Sequence, residues 1–138
     1  METNNQSNKM QVNTGFFSGM GGVIAIVSIL FLPIIGCGGD TITGVGIFKS
    51  NQVSSEIKLF IGIAVLMGLV LIFLRKYLVA AITGIAGLVS LLIAYSIAHS
   101  KIAGIELKFG AFFAMIGFAI SSLVNFLKMS NTEDAKKL

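Results

Sequence analysis

The chain of 138 residues contains no tryptophan, one proline, one cysteine and one histidine, and only 12% of its residues are charged. Each shortage excludes something. The single cysteine, Cys37, closes no disulfide within the chain, although an outward-facing thiol can bridge two copies. One histidine, His99, and one cysteine do not supply the ligands of a tetrahedral zinc site. A Cys–His nucleophile pair would also need a third group to orient the base, and none is identifiable. The reading is therefore non-enzymatic, with no cofactor and no metal. Soluble domains carry about a quarter charged residues. At 12% charged, 55% hydrophobic and a mean hydropathy of +0.92, a chain this short cannot hide its apolar surface in a water-facing core. Its solvent is lipid.

What the sequence does contain is four apolar runs, Phe16–Ile35, Ile57–Leu74, Leu78–Ala98 and Phe109–Leu127, of 20, 18, 21 and 19 residues. A helix of roughly 20 residues crosses a hydrocarbon layer about 30 Å thick. No run alternates apolar and polar residues as a barrel strand would, and within lipid the backbone must satisfy itself, which leaves helices. The expectation is an all-α integral membrane protein whose four transmembrane helices form a left-handed bundle. An outer loop at 36–56, an inner turn at 75–77 and a second outer loop at 99–108 connect the spans, between polar tails at 1–15 and 129–138. Pro33 leaves the carbonyl of Ile29 without its amide, so the first helix kinks or ends early there. No Asp, Glu or Arg lies inside any run, whereas proton-coupled transporters and pumps normally keep an ionisable residue at mid-membrane.

Orientation follows the basic residues of the short loops. With the N-terminus inside, Lys9, Arg75, Lys76, Lys128, Lys136 and Lys137 are cytoplasmic, against Lys49, Lys58, Lys101 and Lys108 outside. Six against four favours a multi-pass protein of the plasma (inner) membrane with both termini cytoplasmic. Lys58, Arg75, Lys76 and Lys108 read as interface anchors whose methylenes stay in the apolar layer while the ammonium or guanidinium reaches the headgroups. The net charge of +4 is dispersed over helix ends and forms no basic stripe with interleaved aromatics, so nucleic acid is not an expected partner.

Small residues recur at helical spacing. In the third run they are Ala80, Thr83, Gly87, Ser90, Ala94 and Ala98; in the fourth, Gly110, Ala114, Gly117, Ser121 and Asn125. The first run has Gly15, Gly19 and Gly22. Lipid gives helices no hydrophobic reason to associate, so they pack where small side chains allow close approach, and steps of three and four give left-handed crossings near +20°. Such stripes hold one chain together or leave a face for a second copy. Ser90, Ser121 and Asn125 suit dry interhelical packing and equally suit the lumen of an oligomeric pore.

Two segments suggest duplication: Gly22–Leu30 parallels Gly84–Leu92 at an offset of 62, and Glu56-Ile57-Lys58 parallels Glu106-Leu107-Lys108 at an offset of 50. Two duplicated helical hairpins are one explanation, and convergence of apolar segments is the other. In the first outer loop, Gly38-Gly39-Asp40 is turn chemistry and Thr41-Ile42-Thr43 has strand propensity. Exposing Ile47 and Phe48 to water is unfavourable, so the loop folds onto the bundle or a partner, with Ser54 or Ser55 capping the second span. Ile34-Ile35-Gly36-Cys37 also matches a lipoprotein cleavage box, without the soluble domain that normally follows one.

Leu32-Pro33, then Gly38-Gly39 and Thr43-Gly44 with an apolar tail, resembles a pattern of uncharacterised small bacterial four-span membrane proteins with a Gly-rich first outer loop. Claudin-like proteins are similar in topology, with a first outer loop longer than the second, but this loop lacks their tryptophan and second cysteine. The resemblance implies four spans and carries over no functional residue. The functional expectation is an integral membrane subunit that self-associates or joins a membrane complex through its small-residue faces and the first outer loop, where Cys37, Asp40, Ile47 and Phe48 stand out. The alternative is an oligomeric pore, channel or holin-like permeability protein.

Overall fold

Pro33 sets the end of the first helix. Leu32 makes the last helical bond, its amide donating to the Ser28 carbonyl at 3.2 Å. Pro33 has no amide to continue the series, and the residue before a proline is pushed towards extended backbone. The computed structural model describes residues 14–136, and in it helix α1 covers Thr14–Phe31. There follow strand β1 (Pro33–Cys37), strand β2 (Asp40–Thr43), the short helix α2 (Gly44–Lys49), helix α3 (Ser55–Phe73), helix α4 (Tyr77–Lys101), strand β3 (Ile105–Leu107) and helix α5 (Phe109–Lys136). Two expectations are corrected. The first span does not run helically to Ile35, because its last residues turn into a strand. The protein is not all-α either: it is mostly helical, with a three-stranded sheet at one end.

The sheet joins the α1–α3 and α4–α5 connections. Its order is β2-β1-β3, antiparallel throughout. Cys37 and Asp40 close the β1–β2 hairpin around Gly38 and Gly39, whose φ angles are +59° and +101°. Positive φ at both central positions is the signature of a two-residue type I′ turn, for which Gly-Gly is well suited. A side chain at either glycine would meet no atom within 4 Å, so any damage on substitution is conformational rather than steric. Gly38→Ala and Gly39→Ala are each expected to destabilise the fold by about 1–2 kcal/mol, read as an earlier midpoint in an SDS titration from mild detergent. An unmoved midpoint for both would refute the turn assignment.

The β1–β2 register shifts between Pro33 and Ile35. A bulge interrupts strict alternation, and Ile34 and Ile35 are both buried against the ends of α3, α4 and α5. Both line one apolar cavity of about 20 Å³, together with Ile57, Leu91, Ala94 and Tyr95. Helix α2 then folds back over the bundle. The Thr43 hydroxyl accepts from the Gly46 amide at 3.2 Å as its N-cap, Ile47 is fully buried, and Gly44 lies directly on the Ile29 carbonyl of α1.

The four longer helices pack as a square in the order α1, α3, α4, α5, each against its two neighbours. Neighbours run antiparallel. The end of α1 (Leu32, Pro33) meets Gly110 at the start of α5, Gly22 of α1 meets Gly68 of α3, and Gly84 of α4 meets Phe118 and Ser122 of α5. Three helices are long and apolar enough to cross a membrane, Ser55–Phe73, Tyr77–Lys101 and Phe109–Asn131; α1 adds a shorter apolar stretch, Gly19–Phe31. Their side chains are arranged inside out relative to a water-soluble bundle. In α4, Ala80, Thr83, Gly87, Ser90 and Ala94 are buried, whereas Leu78, Ile82, Ile85 and Leu92 are exposed. Large apolar residues outside and small ones inside fit a lipid solvent, in which close van der Waals contact replaces hydrophobic collapse.

Candidate functional site

At the sheet-capped end the charges pair with one another. Glu56, in the first turn of α3, forms an ion pair with Lys101 in the last turn of α4. The two lie 45 residues apart, so no local sequence signal links them. Glu106 pairs with Lys108 at 2.6 Å. Read as a helix start, Glu106 and Lys108 would not share a face. Glu106 instead lies in β3, where alternate residues point the same way. The two Glu-x-Lys motifs therefore sit in different secondary structure. The Lys108 methylenes lie over the backbone of Gly36, where a Cβ would collide with them.

The hydrogen bond from Lys108, and next its charge, hold the Glu106 carboxyl below its ordinary value. A depressed carboxylate stabilises the fold above its unfolded pKa, and that contribution disappears as pH falls through the folded one. Lys108→Gln is expected to raise the Glu106 pKa towards the ordinary carboxylate value, followed by carbon NMR of the side-chain carboxyl. An unchanged titration would show that the pair does not form.

The remaining residues of this end are spread along the cap. Cys37 is exposed at the end of β1, with its Sγ 3.8 Å from the Ala103 carbonyl, and Asp40 is exposed beside it. Phe48 is 44% exposed and lies over Gly62 of α3, so of the two apolar loop residues only Ile47 is taken into the core. The His99 ring is 5.7 Å from that of Tyr95. Ser54 occupies the N-cap of α3, but its hydroxyl makes no cap bond and is buried without a hydrogen-bond partner. Among the described residues no group of three or more His, Cys, Asp or Glu comes together as a metal site.

Between the helices, Gly22 sits against the Gly68 carbonyl, Gly87 against the Phe118 ring, Gly110 against Leu32 and Pro33, and Gly117 against the backbone of Gly21 and Ala25. Ala94 and Ala114 are buried. Gly21 and Gly84 pack between helices but are absent from the stripes read from the sequence. Gly15 falls in the first turn of α1, and its packing lies outside the described residues. Gly19 has open space where its side chain would be. Ser90, Ser121 and Asn125 are buried between helices: the Ser90 hydroxyl donates to the Ala86 carbonyl at 2.9 Å, and the Asn125 amide donates to the Ser121 carbonyl at 2.6 Å. A lumen enclosed by several copies is lined by outward residues, and these three face inward.

Of the anchors, Arg75 and Lys76 are exposed in the connection between α3 and α4, and Lys58 is half-buried near the start of α3. Lys128 of α5 lies 4.7 Å above the Tyr77 ring, with its Nζ 3.4 Å from the Tyr77 hydroxyl. Among the described residues, two outward grooves stand out. One, of about 480 Å³, lies between α1 and α3 and is lined by Phe16, Gly19, Met20, Val23, Ile24 and Ile72. The other, of about 290 Å³, lies between α4 and α5, with Ala81, Gly84, Ile85, Phe118, Ser122 and Phe126 among its walls. The offsets of 62 and 50 carry Gly19, Val23 and Ile72 onto Ala81, Ile85 and Ser122. They also carry the Gly22–Gly68 contact onto the Gly84–Phe118 contact. Comparison with protein families, with curated proteins and with solved structures gives no match to this chain.

Proposed function

We propose that the chain is a non-enzymatic four-span subunit of the plasma membrane, with both tails cytoplasmic, that self-associates through the α1–α3 face and the first outer loop. The observation that carries this reading is the notch at Gly19. The small-residue stripes of α4 and α5 are buried inside the chain, whereas Gly19 opens outward into an apolar groove on which no described residue sits. Small residues on an outward helix face permit a second helix to approach closely. The half-exposed Phe48 above α3 extends the same apolar side towards the cap. Matching contacts at the 62- and 50-residue offsets support two duplicated hairpins about an axis along the membrane normal, and the spacing of the seams supports left-handed crossings.

The test is the oligomeric state of the full chain in nanodiscs, together with Gly19→Phe. Because a side chain at Gly19 meets no neighbour within 4 Å, the variant should keep the stability of the parent while its oligomer shifts to monomer, at least tenfold in dissociation constant. A parent that is monomeric at every concentration would sink the reading. So would a variant that assembles as the parent does. Ion flux through liposomes under either protein would move the pore reading ahead.

A further inference from the structure

Helix α1 stops at Phe31, before Pro33, and β1 takes over. The chain passes Gly110 at Leu32 and Pro33 and ends the strand at Cys37, beside the Ala103 carbonyl. The space beneath the sheet is therefore enclosed by α3, α4, α5 and two strands, and no residue of α1 lines it. Ile34 and Ile35 enter it from β1, and Ile57 and Ile61 from α3. Helices α4 and α5 face it partly with small residues, Ala94, Ala98 and Ala111, and these leave a cavity of about 20 Å³ unfilled.

By volume the cavity has room for a water, which takes upwards of about 10–15 Å³. A buried water also needs roughly two to four polar partners. Among the described residues, Tyr95 has the one polar side chain on these walls, so water is poorly held there. Three lining residues are only partly buried, Tyr95, Leu107 and Met115. They mark where the cavity comes nearest the surface, between α4 and α5 beside β3. The Met115 thioether is flexible and polarisable, so it can swing aside without disturbing the helices.

We propose that this cavity is a binding site for a small uncharged apolar solute of one or two heavy atoms, dioxygen being the simplest, which enters past Met115. Apolar walls without polar partners suit such a solute and reject water. An apolar cavity of about 150 Å³ admits benzene, and the far smaller volume here excludes a ring. Solutes of this class concentrate in hydrocarbon, so the membrane placement above supplies the ligand, whereas self-association plays no part.

Dioxygen is itself the probe, because it is paramagnetic and speeds the relaxation of nearby methyl groups. The full chain in nanodiscs, with Ile, Leu and Met methyl groups labelled, is measured with and without pressurised oxygen. The methyl groups of Ile57, Ile61 and Met115 are expected to show a several-fold larger enhancement than those of Ile29 and Ile47, which are fully buried away from these walls. Ala111→Val fills the space and should remove most of that excess. Leu91→Ala enlarges it and should raise the excess several-fold. Enhancement at the cavity no greater than at Ile29 and Ile47 would overturn the site. So would an Ala111→Val chain that relaxes like the parent, since the oxygen would then act from the lipid. A nuclear Overhauser effect from water to the Ile61 and Leu91 methyl groups would overturn it as well, because the cavity would already hold a water.

Discussion

Gly117→Leu is expected to drive α5 off α1 and to lower stability by about 3 kcal/mol or more, the upper end of what overpacking usually does. Gly21→Leu should do the same. The two glycines are reciprocal. A Cβ on Gly21 would lie 2.6 Å from the Gly117 carbonyl oxygen, and one on Gly117 would lie 2.7 Å from the Gly21 carbonyl oxygen and 2.9 Å from the Ala25 amide nitrogen. A Cβ on Gly21 would also lie 2.6 Å from the Ser121 Oγ, but each glycine meets a backbone atom too, which has no rotamer to move into, so the helices must separate as bodies. Separation then exposes the fully buried Ala25, Ala114 and Ser121 along the same seam. Gly19→Leu is the control. It meets open space and replaces glycine by a better helix former, so it should leave stability unchanged or slightly raised. In an SDS titration the expected order of midpoints is parent and Gly19→Leu together, with Gly117→Leu and Gly21→Leu far below. Equal midpoints across the set would show that α1 and α5 do not touch through these glycines.

That contrast also marks how far the sequence is legible. The apolar runs declare themselves because a helix in lipid must be long and uncharged, and α3 and α4 begin and end within three residues of the runs that forecast them, while α5 begins at Phe109 as forecast but continues to Lys136, nine residues past Leu127 and into the polar tail. The stripes on α4 and α5 are legible for the same reason: each is the one small face of an otherwise bulky helix, and every position in them is buried. Helix α1 is different. It carries glycines at 15, 19, 21 and 22, and periodicity does not say which neighbour each one meets. Since α1 stands between α5 and α3, it needs two small faces about 100° apart, and adjacent Gly21 and Gly22 supply them.

The cap was legible only in part. Gly38-Gly39 announces a hairpin, but its first strand, Pro33-Ile34-Ile35-Gly36-Cys37, is apolar and continuous with α1. A short apolar run has no period that separates strand from helix. Its other partner, β3, is only three residues long, and the single Gly104 before it, at φ +78°, marks a turn without saying that a strand follows. The Glu56–Lys101 pair depends on where two helices happen to end, which is a property of the packed molecule. The lipid-facing grooves likewise arise from side chains that are absent, Gly19 in one and Gly84 in the other, and only packing tells such a gap from a filled seam.

The second large effect concerns a knob and its hole. Phe118 is fully buried, and a Cβ added to Gly87 would lie 2.7 Å from its ring Cζ and 2.8 Å from Cδ1, so the ring occupies the space that the glycine leaves. In lipid the unfolded side chain is also in an apolar medium, so Phe118→Ala forfeits packing rather than transfer from water. The cavity contribution alone, about 24 cal/mol per Å³ over roughly 100 Å³ of lost ring, gives about 2–3 kcal/mol. Gly87→Ala should lose about 1–3 kcal/mol for the opposite reason, a methyl group forced against the ring. The double variant removes the collision and puts the new methyl into the vacated space. It is therefore expected to be more stable than the sum of the single losses by about 1–2 kcal/mol, within the usual range for residues in contact. Strict additivity would mean that ring and glycine are adjacent without being packed on each other. A double variant worse than the sum would mean that α4 and α5 close on the cavity and that Gly87 serves a different contact. The sign of the coupling thus decides whether the α4–α5 seam, which also floors the outer groove, is a fitted joint or only a near approach.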